Sequence, residues 1–218
     1  MTIASPPQAT RPRPRARGRA WKLRVEQSRL ADLLPAQGEW TADDYLWLTR
    51  DTRRLIELAD GWIEELPMPT DTHQRIIGYL YRTFFEMLTP RGSLVRFSGL
   101  KVRLAEQRFR EPDVLVLLDP HDVRHGEAYW TGADLVVEVI SPSNADHDRV
   151  TKRVEYAEAG IAEYWIVDPP SETVTVFVLD ADAAGSYREY GRYATGAVLT
   201  SPLLPDLMVP VEGVFTAF

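Results

Sequence analysis

"ADLVVEVISPS", residues 133–143, decides how the rest of the chain is read. Its apolar run, Leu135, Val136, Val137, Val139 and Ile140, is too continuous for a half-exposed strand and predicts a β-strand covered on both faces. Glu138 sits inside that run. An ionised carboxylate there, left without a partner, costs several kcal/mol at least. Three arrangements offset the cost: an ion pair with a buried Arg or Lys, a carboxyl held neutral by a raised pKa, or a divalent cation at the end of the sheet.

A second acid lies upstream. In "EPDVLVLL", residues 111–118, Asp113 borders another apolar run, and Pro112 stands where a strand does not yet need its backbone donor. If the two strands are neighbours, both carboxylates converge at one end of the sheet, and hard oxygen ligands at close range favour a bound cation. The chain has no cysteine, so thiolate metal sites, disulfides and cysteine nucleophiles are excluded. His121 and His125 have i, i+4 spacing, but they lie in the Pro- and Gly-flanked loop "DPHDVRHGEAYWTG" without the Glu of H-E-x-x-H, and chance explains them. No Gly-rich phosphate loop or G-x-S-x-G elbow occurs.

The flanking segments supply the remaining elements. "EWTADDYLWL" predicts a short helix capped by Thr41, and "RLIELADGWIEELP" a hairpin turning at Asp60-Gly61. Ile76, Ile77, Leu80, Tyr81, Phe84 and Leu88 recur at helical spacing from Thr72 to about Leu88. "SLVRFSGLKVRLAE" predicts strands, and a second helix runs from about His147 to Ala159, stopped by Gly160. "EYWIVDP" and "TVTVFVLD" are strands, Tyr164 and Trp165 reading as core, and the C-terminal part to "GVFTAF" reads as further strands and turns. The expected fold is α/β, a mixed central β-sheet flanked by helices.

At 218 residues and 44% hydrophobic content, the chain suits one domain with a tail. Residues 1–24 carry Arg11, Arg13, Arg15, Arg17, Arg19, Lys22 and Arg24 and no acid; removing their +7 from the formal −7 of the whole leaves −14 on the remainder. The Pro- and Arg-rich opening predicts a disordered basic tail over residues 1–35 and a folded domain over 36–218. That tail is either a solubilising extension or a nucleic-acid-binding arm. The acidic remainder argues against broad, non-specific nucleic-acid binding by the folded part. No run approaches the ~18 apolar residues of a membrane span, and no secretory core precedes the domain, so the expected location is the cytoplasm without membrane attachment.

The ordered series "ELADGWIEEL", "THQRIIGYLY", "EPDVLVL", "DLVVEVISPS" and "TKRVEYAEAGIAEYWIVDP", spanning about Thr41 to Leu207, resembles the Uma-type "putative restriction endonucleases", a bacterial group of the PD-(D/E)XK nuclease superfamily. The resemblance implies a restriction-endonuclease-like core and hydrolysis of DNA phosphodiesters, with Asp113 and Glu138 binding Mg²⁺, for which Mn²⁺ substitutes. The usual motif places a Lys two residues beyond the Glu, where this chain has Ile140. The Uma-type pattern has a Lys on the following helix, matching Lys152, which the resemblance makes the third catalytic residue.

Helical arithmetic groups Val150, Val154 and Ala157 on one face and puts Lys152 and Tyr156 on nearly the opposite one, so Lys152 is either solvated or brought inward by two-sided packing. Glu65, matching a recurrent acid of the family, and His73, at the start of the long helix, are accessory candidates. The implied partner is nucleic acid, DNA in particular, with a homodimer as the means of cutting two strands. The competing reading is a catalytically inactive module that keeps the nuclease fold for nucleic-acid binding or protein interaction.

Overall fold

The computed structural model describes residues 34–52, 54–141 and 147–216. The basic tail expected over residues 1–35 falls outside these residues except at Leu34 and Pro35.

Helix α1 (Ala42–Asp51) starts where Thr41 accepts a hydrogen bond from the Asp44 N–H while the Asp44 carboxylate accepts one from the Thr41 N–H, a reciprocal cap. Strands β1 (Ile56–Ala59) and β2 (Trp62–Glu65) form the expected hairpin. Asp60 and Gly61 both take positive φ (49° and 91°), the conformation a tight two-residue turn requires. With β4 (Val102–Ala105) and β5 (Arg108–Arg110) they build a four-stranded sheet in the order β2-β1-β5-β4. Trp40, Tyr45, Ile56, Leu58 and Phe109 form a small core against it.

The central sheet has six strands in the order β10-β9-β8-β7-β6-β3, from β3 (Leu94–Phe97), β6 (Val114–Leu117), β7 (Leu135–Val139), β8 (Glu163–Asp168), β9 (Thr173–Leu179) and β10 (Tyr187–Ala194). Only the β7–β8 pair is parallel, so the sheet is mixed. The crossover between them contains a helical segment that begins as a π-type turn (His147–Lys152) and continues as α3 (Arg153–Glu158).

Strand β7 is buried along its whole length, as its composition predicts. Leu135, Val137 and Val139 join Val114, Val116 and Trp165 in a core shared with α2 (Asp71–Leu88) and α4 (Val211–Thr216). Val136 and Ile140 point the other way, into a core with Tyr156, Tyr164 and Ile166. The period of two therefore assigns Glu138 to the α3 side. Tyr164 and Trp165 are fully buried.

Two expectations change. The C-terminal segment read as strands and turns includes β11 (Val198–Thr200) and β12 (Met208–Pro210), but ends in the α4 helix, too short for its two inward residues, Val211 and Val214, to display a helical period. The apolar face assigned to Val150 and Val154 is outward: they are 59% and 47% exposed, while Lys152 and Tyr156 are buried. No helix among the described residues is long and apolar enough to cross a membrane.

Candidate active site

Antiparallel pairing of β6 with β7 sets Val114 opposite Val137, so Asp113 and Glu138 emerge at the same end of adjacent strands. Asp113 is held firmly. Its Oδ2 accepts the Val139 N–H at 2.8 Å, and Ser98 Oγ donates to its Oδ1 at 3.3 Å. Thr70 caps α2 by accepting the His73 N–H, which fixes His73 in the first turn, and His73 Nε2 lies 3.2 Å from Asp113 Oδ2. Burial works against the His73 imidazolium, but the hydrogen bond and charge of Asp113 prevail and raise its pKa.

Ile140, standing where the usual motif has Lys, is packed in the core, and the ammonium comes from the crossover helix instead. Lys152 Nζ lies 3.1 Å from Glu138 Oε1, 3.3 Å from Glu57 Oε1 and 3.4 Å from Asp148 Oδ1. Tyr156, one turn further on, donates its hydroxyl to Glu138 Oε1 at 2.6 Å. No described residue donates a hydrogen bond to Glu138 Oε2.

One ammonium thus faces several acids. Burial pushes the Glu138 carboxyl well above its ordinary pKa, opposed by Lys152 and reinforced by Asp113, Asp148 and Glu57. Asp148 is raised too, by burial against the pull of Lys152. For Lys152, burial favours the neutral form, yet Glu138, Glu57 and Asp148 together hold the ammonium well above its usual pKa. Glu138 is therefore both ion-paired and raised in pKa, two of the three arrangements its strand position allowed.

Asp113, Glu138, Asp148 and Lys152 all line a cavity of about 110 Å³, together with the apolar Leu66, Pro67, Met68 and Pro69. Glu111 lines it as well; burial pushes its carboxyl up to about 7, eased by Lys101, and its Oε2 has no hydrogen-bond partner.

Behind the cavity lies a second charged cluster. Arg110, fully buried, makes a two-pronged contact with Glu155 (Nε to Oε2 2.7 Å, Nη2 to Oε1 2.8 Å), and its Nη1 donates to Glu57 at 2.9 Å and to Glu64. Burial favours neutral Glu57, but Lys152 and Arg110 hold its pKa below the ordinary value. Glu57, Glu64 and His147 place one ligand atom each within 4.8 Å of one another, a spacing that could hold a metal ion. The Arg110 guanidinium already occupies both carboxylates there and opposes a cation. The donor set beside Lys152 suits a hard divalent cation better, with its acids in excess and one Glu138 oxygen to which no described residue donates.

Of the five residues singled out from sequence, the structure brings together Asp113, Glu138, Lys152 and His73. Glu65 does not join them: it is exposed and bonded to Arg54 Nη1 at 3.0 Å. Its neighbour Glu64 turns inward instead, as alternation along a strand requires. His125 packs edge-on against Trp130. Glu57, Arg110, Glu111 and Asp148 were missed. Glu57 carries the signal that exposed Glu138, an acid between apolar strand residues, and Asp148 is one helical turn before Lys152.

No curated protein matches the chain. Among solved structures, a putative nuclease belonging to DUF820 from Anabaena variabilis is similar in fold, with a TM-score of 0.66 at 19% identity, over 81% of this chain and 98% of that one. The matching family profile covers residues 42–212, and the chain accordingly belongs to the Uma2 family, described as "Putative restriction endonuclease".

Proposed function

We propose that this protein is a divalent-cation-dependent nuclease that hydrolyses phosphodiester bonds of DNA, with Asp113 and Glu138 holding Mg²⁺ or Mn²⁺. The observation that carries the reading is the imbalance of the cavity: Glu57, Glu138 and Asp148 converge on one ammonium, Asp113 opens onto the same space, and Glu138 keeps an oxygen that no described residue satisfies. Two or more acids in so dry a site repel one another unless a cation joins them.

When bound, the cation supplies Lewis-acid polarisation of a phosphoryl oxygen and a lowered pKa for water. The chain's own groups do the rest. Val139 N–H, Ser98 and His73 fix the Asp113 carboxylate, and Tyr156 fixes that of Glu138. Lys152 presents a positive charge that stabilises the extra negative charge developing on the phosphate as water attacks. Glu57 and Asp148 keep that ammonium protonated and aimed when Glu138 turns to a cation.

The test is incubation of purified protein with supercoiled and single-stranded DNA, with and without Mn²⁺, beside Asp113→Asn. Metal-dependent nicking lost in the variant is expected. Equal cleavage by both proteins, or none by either, contradicts the proposal, and the second result favours a nuclease fold kept for binding alone.

A further inference from the structure

A second concavity, of about 340 Å³, lies across the same helical segment from the acidic cavity. It is lined by Arg149, Arg153 and Arg192, by Thr173 and Thr175, and by Phe177. We propose that it binds a phosphate of the nucleic-acid strand outside the cleavage site. The inference rests on the nuclease reading only for the identity of the polyanion.

The backbone builds this site in two steps. Arg149 and Arg153 are one turn apart on the segment whose other side carries Asp148 and Lys152, so one helix serves both cavities. On β10 a bulge falls between Glu189 and Gly191, after which Arg192 pairs with Thr175 while Glu189 pairs with Phe177. In an unbroken strand, residues three apart face opposite sides; the extra residue turns Glu189 and Arg192 to the same face, into the concavity.

The donors are available. The Arg153 guanidinium lies over the Phe177 ring, 5.4 Å from its centroid, and makes no hydrogen bond to a described residue. Among the described residues Arg192 reaches only Thr173 Oγ1, at a long 3.4 Å. Arg149 gives one nitrogen to Asp168 Oδ2 at 2.6 Å, which leaves the rest of its fork for an incoming oxygen. Glu189 at the rim opposes an anion, and the lining still sums to one positive charge, in a chain whose residues from 25 onward carry −14. A planar fork with threonine hydroxyls beside it suits phosphate oxygens. The volume exceeds a single phosphate and falls in the ~300–1,000 Å³ range of small-ligand sites, leaving room for the attached sugar or base beside the Arg153 face. In the parallel register Ile166, on its floor, lies opposite Glu138, so the floor at β9 is two strand spacings, about 10 Å, from the strand of the acids.

The experiment is fluorescence anisotropy of a labelled single-stranded oligonucleotide in EDTA, where nothing is cleaved, with wild type, Arg153→Glu, Arg192→Glu and Glu189→Gln. Each Arg variant is expected to bind at least about fivefold more weakly at low salt and to flatten the salt dependence by about one counterion. Glu189→Gln is expected to bind more tightly. Melting temperatures and Mn²⁺-induced stabilisation should match wild type, which separates this site from the acidic cavity. Wild-type affinity in both Arg variants, or no oligonucleotide binding by wild type, overturns the proposal. Arg-dependent stabilisation by inorganic phosphate with Arg-independent oligonucleotide binding assigns the pocket to free phosphate and also overturns it. Because binding is read without turnover, Arg-dependent affinity in a protein that never cleaves leaves this inference standing while the hydrolysis reading falls.

Discussion

Two clusters of buried charge lie back to back in this protein and share Glu57. Around Arg110 the planar guanidinium spreads its donors over Glu155, Glu57 and Glu64, and Arg108 adds contacts to Glu155 and Glu158. Around Lys152 a single ammonium serves Glu57, Glu138 and Asp148, with Asp113 opening onto the same cavity. In the first cluster both oxygens of Glu57 and of Glu155 accept hydrogen bonds from the protein; the second opens onto a cavity, and no described residue donates to Glu138 Oε2. Burial alone therefore does not mark a functional acid. A buried acid that faces a cavity with an oxygen to which no described residue donates does.

The largest expected effect on stability belongs to the Arg110 cluster. Arg110→Met leaves Glu155 without its two-pronged partner and Glu57 with Lys152 alone, and should cost about 3–5 kcal/mol in urea unfolding in EDTA. A loss under about 1 kcal/mol would mean that the Arg110 cluster is not the ion network described.

Lys152→Met sharpens the contrast. It removes the ammonium that three carboxylates share, so the metal-free protein should lose stability, and divalent cations should restore part of it. Turnover should fall about a hundredfold or more, the scale for losing one preorganised charge. Wild-type cleavage by this variant would return Lys152 to a structural role.

Glu138→Gln is expected to change stability less, and in the other direction. Lys152 keeps Glu57 and Asp148, the Gln oxygen still accepts from Tyr156, and a desolvated charge is gone. In EDTA the variant should match wild type or exceed it by up to about 1–3 kcal/mol. A clear loss would mean that the cluster is balanced in the absence of metal.

An acid outside both clusters calibrates the comparison. Glu163, fully buried in β8, accepts hydrogen bonds from the Trp165 indole and the Leu203 N–H, yet burial still raises its pKa. The folded state then binds this proton more tightly than the unfolded one. Its contribution to stability is complete below the ordinary 4.5 and is lost as pH rises through the raised folded value. Wild type should therefore lose stability relative to Glu163→Gln as pH rises above 4.5. Parallel stability curves would remove the effect.

Much of this was legible in the chain. The run around Glu138 dictated a doubly covered strand, and Asp113 followed from the same reasoning. The helix was harder: Val150 and Val154 imitate an inward apolar face, but the segment from His147 to Lys152 winds as a π-type turn, which departs from the 3.6-residue spacing used to assign faces. Glu65 was chosen one residue too late, and in a strand one residue changes the side completely. Arg110 carried no local signal, because its three acids come from β1, β2 and α3, far apart in sequence.

Mn²⁺ binding, followed by titration calorimetry on wild type and Asp113→Asn in parallel, tests the metal reading of the Lys152 cluster most directly. Saturable binding by wild type is expected, weakened at least about tenfold in the variant, with Arg110's neighbour Glu64→Gln binding as wild type does. Binding that survives Asp113→Asn but disappears with Glu64→Gln would place the cation at Glu57, Glu64 and His147 and contradict the assignment.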